Sequence, residues 1–263
     1  MNTEKEELFF QKKLQESAQL AFQKGIMVYS DFLGLAEQNL FLNNIRSFPE
    51  ITYSIYGGTA DAERYCICFD GTEQVPGIRR TEPLYPEAFP IACVQITPYG
   101  PKFCDGLTHR DFLGAILHLG ITRSKIGDIY IKEKSAYVFC TDTIGDFLCR
   151  ELVSVKHTQV HCEICVPSDV DFSPELKDIS GTVASLRLDA FLALAFQTSR
   201  SSLSVYIEGG KTFINGKLSM KPGEQLKQGD LVSVRGKGRF LVSEINHKTK
   251  KGRISVVIKK YIS

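Results

Sequence analysis

The longest unbroken apolar run in this chain of 263 residues is Ala190–Phe196, whereas a helix that crosses a bilayer needs about 20 such residues. No membrane span is expected. The opening MNTEKEELFFQKKLQ is charged and has no apolar segment ahead of a cleavage site. No export signal is therefore expected, and the protein is expected in the cytoplasm. No G-x-G-x-x-G loop and no P-loop occurs, which removes the usual cradles for dinucleotides and nucleoside triphosphates; no cofactor is expected. Internal repeats and low-complexity tracts are also lacking. What is present is a globular composition, 43% hydrophobic, with length enough for two or three domains.

Eight cysteines occur without an export signal, so they are read as reduced thiols packed in the core. Two spacings suggest metal, Cys66-Ile-Cys68 and Cys162-Glu-Ile-Cys165, the latter just after His157 and His161. However, Val160–Val166 has strand composition, and residues three apart on a strand point to opposite faces. No metal site is expected.

Charge is divided sharply along the chain. Gly181–Ser263 holds 15 Lys and Arg against 5 Asp and Glu, a net of +10. The first 180 residues hold 17 against 25, a net of −8. A basic third on an acidic body points to a polyanion-binding module.

The helical spacing of Phe10, Leu14, Ala18 and Ala21 predicts a first helix, and Ser30 is the expected N-cap of a second carrying Leu33, Ala36 and Leu40. Ile51–Gly58 reads as a strand and turn. A linker rich in turn formers, Gly71–Pro90, includes Pro76-Gly77, Pro83 and Pro86. The next segment reads strand (91–98), helix (111–119), strand (128–131), strand (136–140), helix (143–148) and strand (159–166). That order is the ferredoxin-like one, which includes RNA-recognition modules. A polar stretch, 167–180, leads into the basic third. The expected class is a multidomain α+β protein: an N-terminal α/β domain at 1–75, an RNA-recognition-like domain at 76–168, and a basic domain at 181–263.

Thr108 and Asp111 have capping-box spacing, which places His109 and Arg110 in the first turn of a helix, where a phosphate is well received. A capped helix with no ligand accounts for the same residues. The kinase reading of His109-Arg110-Asp111 fails, because Ile116 stands where that loop needs Asn. On the strand around 136–140, Tyr137 suits one base-stacking position while Ser135 occupies the other. With Arg123 and Lys125, His109, Arg110 and Tyr137 are secondary RNA-binding candidates.

The basic third carries the most specific pattern. Arg187-Leu188-Asp189 opens an apolar helix, the hydroxyl of Ser199 or Ser201 starts a second one over about 201–207 beside Arg200, and Gly209-Gly210 ends it before Lys211, a strand and the Asn215-Gly216 turn. Arg235-Gly236-Lys237-Gly238-Arg239 is a glycine-spaced basic tip that a phosphate can approach closely. This pattern resembles the S-four RNA-binding domain. The string LTHRDFLGAILHLGITRSKIGDI, Leu107–Ile129, resembles the YlmH family of bacterial S-four proteins. The resemblance implies an S-four domain at the C-terminus with RNA-facing residues at Arg187, Ser199, Arg200, Lys211, Asn215 and Lys217. Arg235, Lys237 and Arg239 of the tip are added on their own chemistry. An ion pair with an acid is an equal expectation for Arg187. Ser202 and Glu208 stand where the family usually has basic residues.

The resemblance further implies binding of rRNA and tRNA on the large ribosomal subunit, in quality control of stalled nascent chains, without catalysis. The acidic N-terminal part is expected to orient the molecule or meet a protein partner. Two alternatives compete. One is an RNA-modifying enzyme, since Arg187-Leu188-Asp189 echoes pseudouridine synthases; their catalytic Asp, however, precedes a threonine–serine–glycine turn, whereas Ala190-Phe191-Leu192 follows here. The other is an acidic membrane surface, disfavoured because the basic residues fall on strands and turns rather than on an amphipathic helix.

Overall fold

The computed structural model describes residues 3–72, 77, 79–83, 85–100, 106–249 and 252–262. Pro76, Cys104 and the expected domain boundary at 75/76 lie outside the described residues. The chain forms two compact units, Met1–Phe172 and Ser173–Ser263. The contacts thus join what reads in the sequence as an N-terminal and a middle domain into one unit.

The first unit opens with α1 (Thr3–Lys24), β1 (Met27–Tyr29), α2 (Leu35–Asn43), β2 (Thr52–Tyr56), β3 (Cys66–Asp70) and β4 (Arg79–Thr81). The four strands form a sheet in the order β1-β3-β2-β4. Leu14, Ala18 and Ala21 of α1 are buried at the expected spacing. The ring of Phe41 meets Phe48, Tyr53 and Phe69 edge-on at 5.2, 5.1 and 6.1 Å. Ser30 does not cap α2. Its hydroxyl donates to the Asp31 carbonyl and accepts the Ile67 amide, both at 2.8 Å, tying β1 to β3. Gly34 is the N-cap of α2 instead. Part of the expected linker is also ordered, because β4 pairs with β2 in parallel.

The same unit continues with β5 (Ile91–Pro98), α3 (His109–His118), β6 (Ile126–Lys132), β7 (Ser135–Thr141), α4 (Asp142–Glu151), β8 (Ser154–Val155) and β9 (Thr158–Cys165). Their order in the second sheet is β6-β7-β5-β9-β8, antiparallel throughout. With the two helices this is the connectivity of a ferredoxin-like sheet. Alternation along the strands gives the sheet two apolar faces. Val94, Ile96, Ala136 and Val138 face Phe112 and Ile116 of α3 and Leu148 of α4. Cys93 and Phe139 face the other way, into a cluster with Phe32, Cys66, Cys68, Phe89 and Phe172.

That second cluster closes the face on which RNA-recognition modules stack bases. The Phe172 ring lies 5.1 Å from Tyr130, 5.5 Å from Tyr137 and 5.2 Å from Phe139. Gly58, at φ +97°, sits so close that an added Cβ would fall 2.1 Å from the Phe139 ring. Only glycine fits there. Arg64 donates to the carbonyls of Phe32, Arg123 and Ile126, and the Asp128 carboxylate accepts the Glu63 and Arg64 amides. The two layers are therefore locked together by packing and by hydrogen bonds.

The second unit contains β10 (Glu175–Val183), α5 (Leu188–Phe196), α6 (Arg200–Glu208), β11 (Thr212–Ile214), β12 (Lys217–Leu218), β13 (Leu231–Val234), β14 (Gly238–Lys248) and β15 (Ile254–Ile262). One sheet runs β10-β15-β14-β13-β11-β12. The polar stretch before the basic third is thus partly an edge strand, and its charged residues suit an exposed edge. Leu188, Phe191, Leu192 and Ala195 of α5 and Leu203 and Ile207 of α6 are buried against Val232, Val234, Phe240, Val242, Val256 and Ile258. Each of these side chains larger than Ala195 contributes about 1.5–3 kcal/mol on leaving water.

Phe139 is fully buried beneath Phe172. Phe139→Ala is expected to destabilise the first unit by about 3–5 kcal/mol, read as a fall in the urea midpoint. An unchanged midpoint would mean that this face is open to solvent.

Candidate nucleic-acid interface

Ser199 is the N-cap of α6, and its Oγ accepts the Ser202 amide at 3.2 Å. This satisfies a donor that the first helical turn would otherwise leave free. Arg200 follows as the first helical residue, with its side chain exposed. At the other end, the Gly209 amide bonds the Val205 carbonyl, and Gly210 adopts φ +67°. The chain then reverses, so that the Lys211 amide returns to the Tyr206 carbonyl at 2.9 Å.

That reversal gathers basic groups. Lys211 Nζ lies 5.7 Å from the centre of the Tyr206 ring, and Lys237 Nζ lies 5.4 Å from it. The Arg235 amide donates to the Lys211 carbonyl at 2.9 Å, which ties the glycine-spaced tip to the end of α6. The Arg235 guanidinium sits 5.5 Å from the Phe213 ring. Gly236 and Gly238 both take positive φ, +78° and +104°, in the tip. Among the described residues none of Arg200, Lys211, Arg235 and Lys237 forms an ion pair with a carboxylate. Excess positive charge is thus displayed on rings and turns, where it costs little desolvation and attracts anions.

The other expected residues are placed differently. Arg187 caps α5 and grips Asp189 with two bonds, Nε to Oδ1 at 3.1 Å and Nη2 to Oδ2 at 3.0 Å. It is an internal ion pair. Burial raises the Asp189 carboxyl, but the Arg187 bonds outweigh it and hold the value below the ordinary one. Asn215 takes φ +50° and Gly216 φ +79°, the type I′ hairpin turn expected of this dipeptide. Asn215 Nδ2 donates to Asp230 at 2.8 Å, and its Oδ1 accepts the Leu231 amide at 2.9 Å. Lys217 stands exposed on β12. Arg239 lies 4.2 Å over the Tyr261 ring. Its neighbour Phe240 points into the core, so Arg239 lies on the opposite face of the sheet.

In the first unit the candidates are dispersed. His109 and Arg110 are exposed in the first turn of α3, and the Thr108 amide bonds Asp111 Oδ2 at 2.8 Å. Arg123 donates to the carbonyls of Ile126 and Gly127; burial and the charge of Arg64 push its guanidinium down to about 10. Lys125 pairs with Asp31 at 2.6 Å. Tyr137 packs edge-on to Phe172. A hollow of about 490 Å³ lies beside α3, lined among others by Arg110, His118, Lys156, Asp111 and Glu151. Lys156 is paired there with Asp111 at 2.7 Å, which helps hold that carboxyl down to about 2. The signs are mixed, unlike those around Tyr206.

Cys162 faces the α3–α4 side of its sheet and Cys165 the other, so the pair cannot chelate one ion. Burial pushes the thiols of Cys66, Cys140 and Cys162 up to about 12, which leaves them protonated and poor nucleophiles at neutral pH. Tyr206 is the residue that reading the sequence missed. Lys211, five positions on, was a faint signal for it; Lys237 reaches the ring only through the fold.

Residues 85–169 match the family described as "Putative RNA-binding domain in YlmH". The chain is 28% identical over 239 residues, 89% of its own length and 87% of the relative's, to the Bacillus subtilis protein named "Ribosome-associated protein quality control protein P2". These two likenesses bear out the resemblance to the YlmH family. A solved structure, "Cell division protein ylmH from Streptococcus pneumoniae", is 19% identical with a TM-score of 0.47, covering 62% of this chain and 93% of that one.

The Arg187–Asp189 pair generates a pH-dependent prediction. A carboxyl whose folded value is lowered stabilises above its unfolded value and loses that contribution as pH falls through the folded one. Arg187→Ala should lower the melting temperature at pH 7, and the deficit should shrink toward pH 3 as Asp189 takes up a proton. Thermal melts across that range check this; an equal deficit at both ends would show that the pair is not the cause.

Proposed function

We propose that this protein is a non-catalytic RNA-binding protein whose second unit, an S-four domain, grips rRNA or tRNA on the large ribosomal subunit during quality control of stalled nascent chains. The observation that carries this reading is the convergence of Lys211, Lys237 and Arg235 on the rings of Tyr206 and Phe213, with no carboxylate to neutralise them among the described residues. Such groups neutralise phosphates and release the condensed counterions of RNA. Arg200, at the corner between α5 and α6, adds a guanidinium suited to a phosphate fork. The name of the Bacillus subtilis relative and the description of the matching family support the same reading.

The first unit then supplies orientation, and its acidic surface a place for a protein partner. The cluster around Phe172 covers much of the sheet face that would stack bases; contact with RNA from this unit would come from His109 and Arg110 at the exposed start of α3. The enzyme alternative is weakened at its own residue, because Asp189 is buried and held by Arg187. Among the described residues no helix is long and apolar enough to cross a membrane.

The test is co-sedimentation with purified ribosomal subunits over a salt series. Wild type is expected on the large subunit, with binding that falls steeply as salt rises. Arg200→Ala/Lys211→Ala should bind more weakly, with a plot of log K against log salt shallower by about 2, one for each lost phosphate contact. A double variant that matches wild type would move the grip elsewhere.

A further inference from the structure

We infer that Tyr206 is a stacking platform for one unpaired nucleotide, with Lys211 and Lys237 holding the phosphates that flank it. The inference rests on the RNA-binding reading above and adds to it a specific ring, a ligand class and a preference among RNA shapes.

The ring rests partly on the core of the second unit and is left partly open. On α6 the neighbours Leu203 and Ile207 are buried, whereas Tyr206 is only half-buried and Val205 beside it is 65% exposed. Its backbone is fixed: the Tyr206 carbonyl accepts both the Lys211 amide at 2.9 Å and Thr212 Oγ1 at 3.1 Å. Thr212 is itself fully buried, so the anchor is firm. Two ammonium groups from separate turns then converge on the one ring. Like charges gathered in this way repel each other, and an anion between them relieves the repulsion. Around Gly236 and Gly238 an added Cβ would meet nothing within 4 Å, which leaves the tip open to a polymer backbone.

Phosphate attraction alone needs no aromatic ring. A flat apolar surface flanked by cations fits a base or ribose with a phosphate on either side. In a duplex the bases are stacked on each other, so the ligand is an unpaired nucleotide in a loop or bulge. When it binds, the ammonium groups move from the ring to the phosphates and free the ring face.

The full chain is titrated with two fluorescently labelled RNAs, a hairpin with an unpaired loop and a blunt duplex of equal length, over a salt series. Wild type should prefer the hairpin, and Tyr206→Phe should keep that preference. Tyr206→Leu should lose about 5- to 150-fold on the hairpin, the range for one base–ring stack. It should change little on the duplex and keep the salt slope, because both lysines remain. Leu is a good helix former, so its melting temperature should stay near that of wild type; Tyr206→Met is a second non-aromatic variant if it does not. The inference is overturned if both non-aromatic variants bind the hairpin as wild type does, if they lose equally on both RNAs, or if Tyr206→Phe falls as far as they do, which would assign the effect to the hydroxyl. A wild type that binds neither RNA overturns the RNA-binding reading, and this inference with it. A wild type that binds beside unaffected variants overturns the stacking alone.

Discussion

Withdrawal of one face of α5 and α6 from water fixes everything on the opposite side of those helices. Leu188, Phe191, Leu192 and Ala195, with Leu203 and Ile207, are held against the β-strands of the second unit. That packing sets where α6 starts and stops, and the basic groups ride on its ends. Ser199 and Arg200 stand at the start, and the Gly209-Gly210 reversal returns Lys211 to Tyr206. Lys and Arg side chains are flexible, yet the backbone bonds from Lys211 to Tyr206 and from Arg235 to Lys211 narrow where their charges can lie. Apolar burial thus pre-orders an electrostatic surface, and little further ordering is lost when a ligand arrives.

The first unit applies the same force to a different end. Its second sheet has the strand order of a fold that elsewhere displays aromatic side chains to nucleic acid. Here those positions are covered, Phe139 fully and Tyr137 in part: both contact Phe172, and Phe32 and Phe89 join the same cluster. Strand order alone therefore does not assign a surface. What decides is whether another layer covers the face, and Arg64 and Asp128 fasten that layer by hydrogen bonds rather than by packing alone.

Much of this was legible in the sequence where local chemistry and tertiary demand agree. The limits of β5, the turn at Asn215-Gly216 and a serine cap on α6, Ser199 of the two offered, follow from period, turn residues and capping groups. The internal pairing of Arg187 with an acid stood as one of two expectations. Illegible were features that depend on distant partners. The strands β1 and β4 have three residues each, too few for a period to show. Ser30 has the chemistry of a cap but serves as a link between strands. Closure of the sheet face by Phe172 and the approach of Lys237 to Tyr206 join residues 33 or more and 31 positions apart respectively, beyond any local pattern.

The tie on Asn215 has a consequence for the lifetime of the molecule. An Asn followed by Gly loses ammonia readily, because the glycine nitrogen, little hindered, attacks the side-chain amide and closes a five-membered imide. In this turn the amide is held at both ends, by Asp230 through Nδ2 and by the Leu231 amide through Oδ1. Ring closure must break both bonds and leave the hairpin conformation first. The contacts that set the turn between β11 and β12 therefore also protect the folded chain from chemical ageing at its most vulnerable dipeptide, and that protection lapses whenever the second unit unfolds.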